Sequence, residues 1–235
     1  IVVKIRLSDF TRVGAITLAS GEDYLRSAVI DTANGYAYFG TFTSPGIVVK
    51  IRLSDFTRVG AITLNAGEDN LNSAVIDTSN AYVYFGTETS PGRVVKIDLN
   101  VASSSPPTRV GAITLNTGEN DLYSAVIDTT NGYAYFGTAT SPGKIVKINL
   151  STFATSTTLT LNTGENNLYS AVIDTTNGYA YFGTNTHPGI VVKIQLSDFT
   201  RVGALTLNTD EDNLAAAVID TTNGYAYFGT DTSPG

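Results

Sequence analysis

A chain of 235 residues with 42% hydrophobic and 15% charged side chains can bury a substantial core, and that balance excludes intrinsic disorder. The net charge of −7, with 14 basic residues spread evenly along the sequence, excludes the clustered Lys and Arg that nucleic acid or an anionic membrane surface requires. Without cysteine there is no disulfide framework, thiolate chemistry or thiol metal site.

No apolar run approaches the roughly 18 residues of a membrane span, so direct membrane insertion is not expected. The sequence begins without Met, inside a strand pattern, and reads as a segment of a longer precursor whose targeting signal would lie outside it.

In register, the sequence divides into five units, 1–46, 47–92, 93–143, 144–189 and 190–235, each of 46 residues except the third, which has 51. The extra residues fall around Val101 to Pro107, and Ile1 to Leu18 is identical to Ile47 to Leu64. A period of this length suits a four-stranded propeller blade, and no helical patterning accompanies it.

The elements of the first unit follow from alternation and turn chemistry. Ile1, Val3, Ile5 and Leu7 alternate on one side with Lys4 and Arg6 on the other, which predicts a half-exposed strand. The stretch SDFT then turns the chain into a second strand, RVGAITL, and the loop ASGED follows. LRSAVID contains the run Ala28, Val29 and Ile30, predicting a strand covered on both faces and therefore innermost. Asn34 and Gly35 fit a tight hairpin leading into YAYFGT, whereas Asn80 is followed by Ala81, a departure expected to strain that turn or change its type. TSPG ends the unit, with Pro45 fixing φ and Gly46 permitting a bend.

Blade order is then SAVID innermost, YAYFGT second, VVKI third and VGAITL outermost. The expectation is one all-β domain, a five-bladed β-propeller of four-stranded antiparallel blades, closed by pairing of Tyr225 to Thr230 with Ile1 to Leu7.

The stretch YAYFGTFTSPGIVVKIRLSDFTRVGAITL, with the phrase SAVIDTANG, resembles the repeats of bacterial and archaeal YVTN-type β-propellers, and the likeness recurs in all five units. YFGT stands where the family's tetrapeptide would fall, and the Gly-His and Trp-Asp signatures of WD40 blades are absent. The resemblance implies propeller architecture and a cell-surface or secreted protein engaged in binding or structural roles. It carries no catalytic residue.

A search for chemistry finds little. His187 is the single histidine, so one chain builds neither a Ser-His-Asp triad nor a multi-histidine metal site, and it stands where other TSPG turns carry serine. Glu22, Glu68, Glu119, Glu165 and Glu211 recur once per unit, but equivalent environments give no basis for separate acid and nucleophile roles. Asp31, Asp77, Asp128, Asp174 and Asp220 each open a DTxN turn, which an Asx-turn explains; calcium is the functional alternative, although the dense acidic spacing of a calcium loop is missing. Tyr36, Tyr38 and Phe39 read as blade packing rather than a stacking surface. The expectation is a non-enzyme without cofactor.

The informative differences among units fall in two places. One flanks the leucine before the inner strand: Tyr24 and Arg26, Asn70 and Asn72, Asp121 and Tyr123, Asn167 and Tyr169, Asn213 and Ala215. The other is the TxT turn, with Phe42, Glu88, Ala139, Asn185 and Asp231, and His187 close by. In the expected blade order both sets map to one rim whose Tyr, Asn, Asp and Arg suit a glycan or a protein partner; exposed-loop drift is the bland alternative. A structural or self-assembling repeat of a larger surface protein, or an engineered repeat propeller, is the second class of reading.

Overall fold

The computed structural model describes residues 1–233; Pro234 and Gly235, the end of the fifth repeat and its closing turn, lie outside the described residues. Twenty β-strands follow one another without a helix among these residues. They form four four-stranded sheets, β3–β6, β7–β10, β11–β14 and β15–β18, and two two-stranded sheets, β1–β2 and β19–β20. The chain divides into two compact units, Ile1–Phe85 with Val95–Gly111, and Gly86–Val94 with Ala112–Gly235.

In the first unit β3 (Leu25–Asp31), β4 (Tyr36–Thr41), β5 (Ile47–Arg52) and β6 (Thr57–Thr63) pair in sequence order, so LRSAVID is at one edge and TRVGAIT at the other. The edge strand β3 lies beside β7 (Leu71–Asp77), and Ser27 Oγ donates to the Leu71 carbonyl at 2.7 Å. Gly40 is required at that contact: a methyl group on it would run into Ser27 Oγ and Leu71 Cβ. The second unit repeats the pattern, with β11 (Leu122–Asp128) beside β15 (Leu168–Asp174), β15 beside β19 (Leu214–Asp220), and Ser124 Oγ on the Leu168 carbonyl. Its core joins Val126, Tyr135, Leu168, Phe182, Val192, Leu196 and Phe199.

Two details of the strand reading are corrected. The innermost strand is not covered on both faces: β7, β11 and β15 alternate buried and half-buried residues, and in β3 Ile30 is exposed. The third strand, by contrast, is interior throughout its middle, and Lys50 is 1% exposed. The lysine escapes the alternation rule because its ammonium lies 4.1 Å from the Tyr36 ring centre and donates to the Ser105 carbonyl at 3.1 Å. Burial lowers its pKa from the ordinary lysine value.

The turns also differ from expectation. Four residues separate β3 from β4, and the Asp31 carboxylate accepts from both the backbone N–H and the side-chain amide of Asn34, leaving only Gly35 at positive φ (77°). Ala81 keeps the same turn type, at φ 57°, because its carbonyl accepts from Leu99 N–H as the Gly35 carbonyl does from Leu53.

Among the described residues β1 (Val2–Arg6) pairs with β2 (Thr11–Ile16), and β20 (Tyr225–Thr230) pairs with β19. Alternation encodes which face of a strand is buried and not which distant edge it meets. The outer edges of β1 and β20 carry side chains that are buried elsewhere in the repeat; Tyr227 is 56% exposed where Tyr38 is 1%.

Candidate functional site

The two variable sets meet through the backbone. The residue before each inner-strand leucine has positive φ: Tyr24 (50°), Asn70 (53°), Asp121 (52°), Asn167 (53°) and Asn213 (50°). Its carbonyl accepts from the middle residue of the TxT turn on the neighbouring strand, Phe42 on Tyr24, Ala139 on Asp121, Asn185 on Asn167 and Asp231 on Asn213. Its own N–H donates to the TxT turn of the preceding sheet, Asn70 to Thr43 in the first unit, and Asp121 to Thr89 and Asn167 to Thr140 in the second. Asn and Asp are the residues that best tolerate this backbone conformation, so four of the five identities have a conformational cause independent of any ligand. Tyr24 has no such ease and is 75% exposed.

Side chains at these positions associate differently in each unit. In the first, the Arg26 guanidinium lies 5.0 Å from the Phe42 ring centre, while Asn70 and Asn72 are half-buried on the approach to and within β7. In the second, Tyr123 and Tyr169 stack with ring centres 4.4 Å apart and planes 6° apart. Burial and a hydrogen bond with Glu88 push the Tyr123 hydroxyl above its ordinary value, and burial with the nearby Glu88 charge also raises Asp121. Asn167, Asn185 and Asn213 are half-buried and Asp231 is exposed. His187 is exposed and its Nδ1 lies 3.0 Å from Asp212 Oδ2.

Residues one step from the variable set went unremarked in the sequence. Asp69 Oδ1 and Asn120 Oδ1, together with Asn213 Oδ1 of the variable set itself, are buried side-chain oxygens without a hydrogen-bond partner. Asp69 and Asn120 directly precede Asn70 and Asp121; their repetition was the available signal.

The acidic rings have local roles. Glu22 Oε2 accepts from Ala19 N–H at 2.9 Å and pairs with the Arg58 guanidinium, which together with that bond holds the carboxyl below its ordinary value. Arg109 pairs with Glu68 and Arg201 with Glu165, while Thr158 Oγ1 donates to Glu119 at 2.7 Å. Asp77, Asp128, Asp174 and Asp220 each accept from the Asn three residues on. No group of three His, Asp or Glu side chains suited to a metal ion occurs among the described residues.

No protein-family description and no curated protein matches the sequence. Among solved structures, the chain is similar to U3-55K and to the WD40 repeats of RRP9, each with a TM-score of 0.66 and 8% identity over 85% of this chain. It spans 56% of the length of each. At this identity the likeness is one of fold: repeated four-stranded antiparallel sheets of the WD40 propeller kind.

Proposed function

We propose that this chain is a non-catalytic β-propeller binding module of a cell-surface or secreted protein, engaging a glycan or a protein partner through the rim that carries Tyr123 and Tyr169. The supporting observation is the convergence of both variable loop sets at one end of the sheets, joined by backbone hydrogen bonds, with the coplanar tyrosines and Glu88 among them. Two rigid aromatic rings offer contact area at low entropic cost, and the Asn and Asp groups beside them supply directional polar contacts. The YVTN-type repeat likeness supports the cell-surface setting.

The finer architecture in this reading is five blades, the fifth composite: β19 and β20 form its inner pair and a β1–β2 hairpin its outer pair. Screening the chain against a glycan array and an immobilised surface-protein extract tests the binding reading. Specific binding that survives in Lys50→Arg and disappears in the Tyr123→Ala, Tyr169→Ala double variant supports this rim, and binding undiminished in the double variant removes it from consideration.

A further inference from the structure

One buried ammonium of the second unit is surrounded by ring faces and has no acceptor. Lys147, on β13 (Lys144–Asn149), is 8% exposed. Its ammonium lies 4.0 Å from the Tyr133 ring centre, 5.7 Å from that of Tyr135 and 5.4 Å from that of Phe199. Among the described residues it has neither a hydrogen-bond acceptor nor an ion-pair partner, and the Tyr133 hydroxyl has no acceptor either. Ring faces repay only part of the hydration that an ammonium loses on burial. Burial accordingly lowers the Lys147 pKa, against the raising effect of the Asp128 charge.

The first unit shows how the equivalent groups are satisfied. Tyr36 and Lys50 stand on β4 and β5 as Tyr133 and Lys147 stand on β12 (Tyr133–Thr138) and β13. The Tyr36 hydroxyl donates to the Ser103 carbonyl at 3.2 Å, and the Lys50 ammonium to the Ser105 carbonyl at 3.1 Å. Both carbonyls belong to the link 99–107 between β9 (Arg93–Asp98) and β10 (Thr108–Thr114), which carries the inserted residues. The corresponding link beside Lys147, residues 196–199 between β17 (Ile190–Gln195) and β18 (Thr200–Thr206), is shorter. It packs Phe199 on Tyr135 with ring centres 5.6 Å apart and brings no carbonyl to either donor. A cavity of about 270 Å3 lies there, lined by Asp128, Tyr133, Tyr135, Lys147, Leu196 and Ser197 among others, all of the second unit.

We propose that this cavity is a binding site for a small organic monocarboxylate. The two carboxylate oxygens do for Tyr133 and Lys147 what the Ser103 and Ser105 carbonyl oxygens do for Tyr36 and Lys50, and the bond to the ammonium is charge-assisted. Leu196 and the Tyr135 ring face a short apolar body. The cavity falls just below the roughly 300–1,000 Å3 of pockets for drug-sized ligands, so the ligand has few heavy atoms. Both Asp128 oxygens accept from Asn131, from its N–H at 3.0 Å and its side-chain amide at 2.7 Å, so this carboxylate calls for no cation. Its charge beside Lys147 disfavours ligands with more than one negative charge. Leu122 pairs with Thr138 at the rim end of β11 and β12, and Asp128 with Tyr133 at the other. The cavity is therefore remote from the Tyr123 rim, and either reading can fail alone.

Propionate titrated into the isotopically labelled full chain, followed by backbone-amide and lysine side-chain NMR, tests the site. Saturable shifts are expected at Tyr133, Lys147, Leu196 and Ser197, and Lys147 should lose its proton at higher pH with propionate bound than without it. Lys147→Met keeps the buried stem and should weaken binding at least about tenfold; Tyr133→Phe keeps the ring and should weaken it about threefold to tenfold. Inorganic phosphate and glucose should each bind at least about tenfold more weakly than propionate. The proposal is overturned by the absence of shifts at these residues, by undiminished affinity in either folded variant, or by phosphate or glucose binding as tightly as propionate.

Discussion

Replacing Ala81 by glycine isolates one backbone effect. Ala81 occupies the left-handed region that Gly35, Gly132, Gly178 and Gly224 occupy in the other repeats. The left-handed conformation costs a residue with a Cβ about 1–2 kcal/mol, while glycine adds about 0.4–1 kcal/mol of unfolded-chain entropy. Ala81→Gly should therefore stabilise the fold by about 0.5–1 kcal/mol, raising the melting temperature by roughly 1–4 °C for a chain of this size. The reverse change, Gly35→Ala, should cost a similar amount, and the comparison is clean because no atom lies within 4 Å of where its Cβ would stand. Urea unfolding followed by circular dichroism measures both. A destabilised Ala81→Gly, or a Gly35→Ala as stable as the parent, would refute the conformational reasoning.

Three further outcomes follow. Gly137→Ala should cost about 2–3 kcal/mol, since the added methyl meets Ser124 Oγ and Leu168 Cβ well inside contact distance, whereas Gly229→Ala, whose added methyl would meet Ala216 Cβ at an ordinary 3.7 Å, should cost well under 1 kcal/mol; paired denaturation curves compare them. Arg109→Ala should cost about 2–4 kcal/mol, because Glu68, 1% exposed, would lose its guanidinium partner. The Glu22 carboxyl, held below its ordinary 4.5 mainly by Arg58, contributes stability above that value and loses it as the carboxyl protonates. Stability should therefore fall as pH drops below about 4.5, and Arg58→Gln should make that fall shallower in acid titrations of the unfolding midpoint.

The strands were legible because valine, isoleucine and tyrosine alternate at period two, and their boundaries because Asp31, Asn34 and Gly35 supply turn chemistry in a fixed order. The burial of Lys50 was not legible because alternation assigns a face and cannot foresee a tyrosine ring on that face to receive an ammonium. Glu22 read as one of a ring of loop acids, and its Arg58 partner lies 36 positions away on a different strand, beyond any local pattern. At the rim, the variable positions were visible, but the reason for Asn70, Asp121, Asn167 and Asn213 is a backbone angle that residue identity only hints at. The stack of Tyr123 on Tyr169 joins consecutive repeats and required their relative placement. Edge pairing was the least legible feature, since the β1 and β20 patterns match those of paired strands and name no partner.

Amide hydrogen exchange on the third strands tests the blade architecture most directly. Val48–Ile51 and Ile145–Ile148 are buried and bonded on both edges, so their amides should be among the slowest in the chain, the buried Lys50 and Lys147 included. Exchange at these lysine-bearing strands as fast as in the TxT turns would contradict the account.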